Sequence, residues 1–218
     1  MGSDGEKAAL TEGEKGLLAL VQSYREQLAL VDPEEIARRC AIEYIAEDAQ
    51  FVVPVFGQGF TVAFPELRVM EETTDHHEGS PWLQALVMHY FRTADGFPIE
   101  GTWISFRDLP GGMHYEKAFQ GYSGDQLAKA FGNDLQRLDR AARLAKGKPI
   151  SLGDAGYTFA ALPRVPIAVS YWSGDEDFPP AAKVLFDRSA SHYLPTDALA
   201  TLGGRLCRLL IRGGDLTT

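Results

Sequence analysis

Between Ala155 and Asp187 the chain sets three apolar runs end to end, AGYTFAAL, VPIAVSYW and AKVLFD, joined only by PR and SGDEDFPPA. A parallel pair of strands needs a crossover of about a dozen residues or more, and neither connection is that long. The runs therefore read as consecutive antiparallel strands. Pro163 and Pro166 cannot both donate to a ladder, so their junction lies at a sheet edge or separates two strands. Upstream, FVVPVFGQGFTVAF reads as a hairpin around Gly57 and Gly59, with ELRVM as a candidate third strand. GTWISF reads as a further strand that runs into the turn RDLPGG.

Helical spacing occupies the remaining stretches. Leu17, Leu20, Val21, Tyr24, Leu28 and Val31 form one apolar stripe. DPEEIARRC opens a second helix with Asp32 as N-cap, Pro33 in the first helical position and two glutamates where the dipole favours them. Ser80 and Pro81 open a third, and GDQLAKAF and DLQRLDRAARLAK follow, the latter capped by Asn133. TDALATLGGRLCRLLIRGG closes the chain as a helix with Thr196 as cap. The expectation is an α+β fold, a mostly antiparallel sheet with flanking helices. Residues 1–12 read as a flexible N-terminus and residues 13–218 as a single domain.

Composition narrows the function classes. Hydrophobic residues at 45% and charged residues at 23% are those of a chain that folds, and 218 residues can bury a core without staples. A net charge of −9 and no basic cluster outside a helix C-terminus argue against nucleic acid as a partner. Cys40 and Cys207 supply neither a disulfide framework nor a CxxC metal motif. No apolar stretch has the length of a signal peptide core or a membrane span, so a cytoplasmic protein without membrane association is expected.

Several residue groups invite chemistry and are weighed against plainer roles. His-Tyr occurs at His89, His114 and His192, yet without a ligand spacing such as HxxxH, so His89 and His192 read as structural histidines. Glu71, Glu72, Asp75, His76, His77 and Glu78 crowd one polar loop that reads as solvated. Ser123 in GYSGD lacks a full GxSxG and reads as an N-cap, and DRSASHY does not make a triad by adjacency. In FRDLPGGMHYEKAF, a strand, a Pro-Gly-Gly turn and a short helix bring Arg107, Gly111, Gly112 and His114 together, where free amide groups could face an anion. Asp175, Glu176 and Asp177 stand side by side after a strand. They make either a solvated turn or, if enclosed, an acid/base pair or cation site.

FRDLPGG, GDAGYTF, LPRVPIAVSYWSGDEDFPPAAKVLFD and YLPTDAL together resemble the signature of the prokaryotic family catalogued as domain of unknown function 3786, from about Val31 to near the C-terminus. The resemblance implies an organism among anaerobes, and relatives in which a Cys-rich iron–sulfur segment precedes the domain or corrinoid and one-carbon proteins lie nearby. This chain has no such cysteines. The resemblance also implies that the acid turn, the LPR junction and the FRDLPGG loop belong to one design. The first expectation is thus a cleft for a small anionic or metal-containing ligand, shaped by Arg107, Gly111, Gly112, His114, Arg164 and Asp175, with no metal ligands assigned and no cofactor identified. The alternatives are a cation-assisted hydrolase or transferase pairing Asp175, Glu176 or Asp177 with His114 or His192, and an accessory protein acting through a surface or dimer interface. The oligomeric state is left open.

Overall fold

The computed structural model describes residues 11–71 and 77–213. The expected flexible segment therefore falls, up to residue 10, outside the described residues, as do Glu72, Asp75 and His76 of the polar loop. Two helices come first, α1 (Glu12–Leu28) and α2 (Pro33–Cys40). Asp32 caps α2 as expected, accepting from Glu34 N at 3.1 Å.

The architecture is α+β, and the strands divide between two antiparallel sheets. The first contains β1 (Glu43–Ile45), β2 (Gln50–Val55), β3 (Gln58–Ala63) and β4 (Val69–Glu71) in chain order. Alternation decides its inner face: Phe51, Val53 and Val55 of β2 are buried with Phe60 and Val62 of β3. The helix α3 (Pro81–Thr93) packs on α1 and reaches β4. Its buried Gln84 serves Val69 as a strand partner would, accepting from Val69 N at 3.1 Å and donating to Val69 O at 3.0 Å.

The second sheet contains β5 (Trp103–Ser105), β6 (Lys148–Ile150), β7 (Ala155–Leu162), β8 (Val165–Trp172) and β9 (Ala181–Asp187) in the order β5-β9-β8-β7-β6. The opening motif of three runs is its centre. Pro163 and Arg164 turn the chain between β7 and β8, so the proline junction separates two strands, and the register shifts between Ala160 and Leu162. The sheets meet where Phe56 N donates to Ala161 O at 3.0 Å. Three helices lie between β5 and β6 in sequence: α4 (Glu116–Tyr122), α5 (Gly124–Phe131) and α6 (Leu135–Leu144). The last helix, α7 (Thr196–Ile211), buries Leu199, Leu202, Leu206 and Cys207. Each such leucine contributes on the order of 2 kcal/mol through removal from water.

Local capping departs from the sequence reading at three points. Asp134, not Asn133, caps α6 by accepting from Arg137 N at 2.8 Å, because Asn133 is engaged with Gly174 instead. Pro195, not Thr196, holds the cap position of α7, and the Thr196 hydroxyl donates to Pro110 O at 2.8 Å. Ser123 occupies the cap position of α5, but its buried hydroxyl turns back to Phe119 O at 2.5 Å. In each case a partner from another element, or from the preceding turn, outcompetes the local amide.

Candidate functional site

The turn after β5 folds as two short 3₁₀ turns, Phe106–Asp108 and Gly112–His114. Asp108 fixes the first, accepting from the Ser105 hydroxyl at 2.6 Å and from Ser105 N at 3.2 Å. Gly111 has φ +73°, which favours glycine, and a Cβ on Gly112 would lie 1.9 Å from Phe106 O. The two glycines of LPGG thus contribute for different reasons, Gly111 by its backbone conformation and Gly112 by the close approach of Phe106 O. Beyond them α4 carries Phe119, stacked on Phe106 with ring centroids 4.3 Å apart, and Tyr122, edge-on to Phe119 at 5.6 Å. Opposite stands the strap that links β9 to α7: a 3₁₀ turn, Arg188–His192, followed by Leu194 and Pro195.

A cleft of about 680 Å³ opens between these two walls. Among the described residues, its lining includes the rings of Phe106, Tyr115, Phe119 and Tyr122. Tyr115 is 68% exposed and Tyr122 45%, so both rings remain partly open to solvent at the mouth. Gly203 and Gly204 of α7 let these rings approach, since a Cβ there would stand 2.9 Å from Phe119 Cζ and 3.1 Å from Tyr122 Cε2. Ser191, Thr196, Asp197 and Thr201 add polar groups from the strap and the first turns of α7. Asp197 and Thr201 also border a smaller hollow of about 140 Å³ that contains Trp82 and His89. Burial holds the His89 imidazole below its usual pKa, with Asp197 opposing the shift. In the same region the Arg205 guanidinium lies 4.0 Å above the Trp82 ring.

The sequence-derived site residues are distributed as follows. Gly111 lines the cleft and Gly112 shapes its turn. Arg107 and His114 are exposed beside it, and Arg107 Nε is 3.7 Å from a Glu116 carboxylate oxygen. Arg164 sits in the β7–β8 turn, where its N–H donates to the Tyr90 hydroxyl at 3.2 Å. Asp175 lies past the other end of β8. That strand is eight residues long, and at roughly 3.3 Å per residue it holds Arg164 and Asp175 about 25 Å apart. The acid turn is exposed: Asp175 accepts from Asp177 N at 2.9 Å and Phe178 N at 2.8 Å. Asn133 clasps the same turn through both Gly174 N and Gly174 O, at 2.8 and 3.1 Å. Among the described residues, no three His, Cys, Asp or Glu side chains gather as a metal site would require.

A family model described as Domain of unknown function (DUF3786) matches residues 32–209. The chain belongs to the DUF3786 family. No curated protein and no solved structure matches it. In this DUF3786 chain the matched span includes both sheets, the LPGG turn, the acid turn and the strap, while α1 lies before it.

Sequence alone does not single out Asp95, and it marks Asp187 only as a member of DRSASHY. Asp95, just past α3, accepts from Phe97 N at 2.8 Å and pairs with His192 Nδ1 at 2.6 Å, while the His192 ring stacks on Phe97 at 4.0 Å. Buried Asp187, at the end of β9, accepts from Glu100 N, Gly101 N, Ser189 N and the Ser189 hydroxyl. Asp187 and His192 share the stretch DRSASHY but take partners from residues 95–101, a relationship that no local spacing announces. His192 thus has a carboxylate partner, and it is Asp95 rather than the acid turn.

Proposed function

We propose that the protein binds a flat, largely apolar small molecule in the cleft between α4 and the start of α7. The observation that carries this reading is the cleft itself, about 680 Å³ in volume and walled by Phe106, Tyr115, Phe119 and Tyr122. Pockets of this size with few polar groups are the usual form of small-molecule sites. An anion, expected at the junction of Arg107 and His114, finds no Lys, Arg or His among the described residues of this lining. Of the six residues expected to shape a site, this reading uses Gly111 and Gly112. The two buried, unpaired thiols of Cys40 and Cys207 support a reducing compartment such as the cytoplasm.

Screening by saturation-transfer NMR with small aromatic fragments tests this reading. Binders are expected that Ala200→Phe excludes by filling the cleft, with the fold kept. Fragments that bind the filled variant equally well would place the site elsewhere.

The carboxylate–imidazole pair of Asp95 and His192 supports a second reading, acid/base chemistry at the strap. It replaces the acid turn with Asp95 as the carboxylate partner.

A further inference from the structure

The charge pattern of the cleft says more about its occupant than its shape does. Among the described residues lining it, Asp197 is the only ionisable acid or base apart from the two tyrosines. Asp197 is exposed and stands in the first turn of α7, the end where unbonded amides carry about half a positive elementary charge. A full carboxylate charge outweighs that half charge, so this wall stays net negative. The opposing wall is aromatic, with Tyr115 and Tyr122 its exposed members, and the face of an aromatic ring carries the negative part of its quadrupole. Tyr115 and Tyr122 are exposed, and the rings behind them, Phe106 and Phe119, are held by stacking and so cannot turn away. Arg208 acts on Tyr122 from outside the lining, with its Nε directed to Gly204 O at 3.4 Å.

We infer that the ligand is a cation, a protonated amine or methylated ammonium, seated between the tyrosine faces of the α4 wall and the Asp197 carboxylate. The inference rests on the cleft being a small-molecule site. Aromatic faces and one carboxylate attract a desolvated organic cation through the ring quadrupole and direct charge together. A carboxylate or phosphate ligand would meet repulsion from both walls. A neutral ligand would gain from the rings but not from Asp197.

Three probes that share one phenyl ring separate these cases: benzyltrimethylammonium, benzyl alcohol and benzoate, each titrated into the full chain and followed by NMR. The expected order is cation, alcohol, anion, with the cation about tenfold tighter than the alcohol, a difference within the range of such contacts. Asp197→Asn should weaken the cation about tenfold and leave benzyl alcohol unchanged, and Asp197→Glu should restore most of the loss. Benzyl alcohol binding as tightly as the cation, or benzoate binding more tightly, overturns the cation while leaving the cleft as a site. An Asp197→Asn variant that loses all probes equally also overturns it. No perturbation of Tyr115 or Tyr122 by any probe removes the small-molecule reading itself.

Discussion

Oδ2 of Asp95 lies 2.6 Å from Nδ1 of His192, tying the loop after α3 to the strap before α7 across 97 positions of sequence. Burial works against the Asp95 carboxylate, but hydrogen bonds from His192 and Phe97 N outweigh it and hold its pKa below the usual value. A carboxyl whose folded pKa is depressed stabilises the fold above its unfolded pKa, and that contribution is lost as pH falls through the folded one. Both side chains are at least a third exposed, at 36% and 52%, so solvent screens the pair. Asp95→Asn should therefore cost no more than about 1 kcal/mol at neutral pH. The wild-type advantage should shrink steadily across the acid range in urea titrations, and a constant difference would exclude ionisation as its source.

Asp187 is the contrasting case, a fully buried carboxylate with four donors. Asp187→Ala leaves the amides of Glu100, Gly101 and Ser189 without their acceptor, and of these residues Ser189 is fully buried. The loss should be about 3 kcal/mol, as for a buried charged hydrogen-bond hub. Urea midpoints measure it, and a loss under about 1 kcal/mol would mean that water replaces the carboxylate.

The acid turn should behave as a structural turn with unequal members. Asp175→Ala removes two backbone hydrogen bonds and should cost about 1 kcal/mol. Glu176 and Asp177 are exposed, and changing both to amides should alter stability by about 0.5 kcal/mol or less. Millimolar magnesium, calcium or manganese should shift the melting temperature of wild type and double variant alike. A cation-specific gain lost in the double variant would make the turn a site.

The adjacent glycines of the cleft wall should differ in cost. Gly111→Ala meets no atom within 4 Å and suffers only from its φ of +73°, a penalty of about 1 kcal/mol. Gly112→Ala would force a Cβ to 1.9 Å from Phe106 O, so the turn must rearrange. Gly112→Ala should perturb the NMR signals of Phe106, Tyr115 and Phe119, and Gly111→Ala should leave them near their native positions.

Cys40 and Cys207 are both fully buried, and burial pushes each thiol up to about 12. The thiolate is the reactive form, so neither should react with a disulfide reagent in the native protein, and both should react once it is unfolded. Fast native labelling of either would reveal local opening of α2 or α7.

Local chemistry settled much of the secondary structure. β7 and β8 begin and end where AGYTFAAL and VPIAVSYW do, because alternation, β-branched residues and the Pro163–Arg164 turn all act within a few residues. The same holds for α5 over GDQLAKAF and for the Asp32 cap. The three-residue strands β1 and β6 carry too short a pattern to be recognised, and their ladders come from partners elsewhere in the chain. Tertiary packing alone divided the strands between two sheets, drew Asn133 away from its helix to Gly174, and set Arg164 and Asp175 at opposite ends of one strand. It also built the cleft, whose walls come from residues 106–122 and 191–201. Periodicity, caps and turn residues report on neighbours along the chain. Which faces bury against each other depends on how whole elements fill the core together, and that choice put Asp197 opposite Tyr115 and Tyr122.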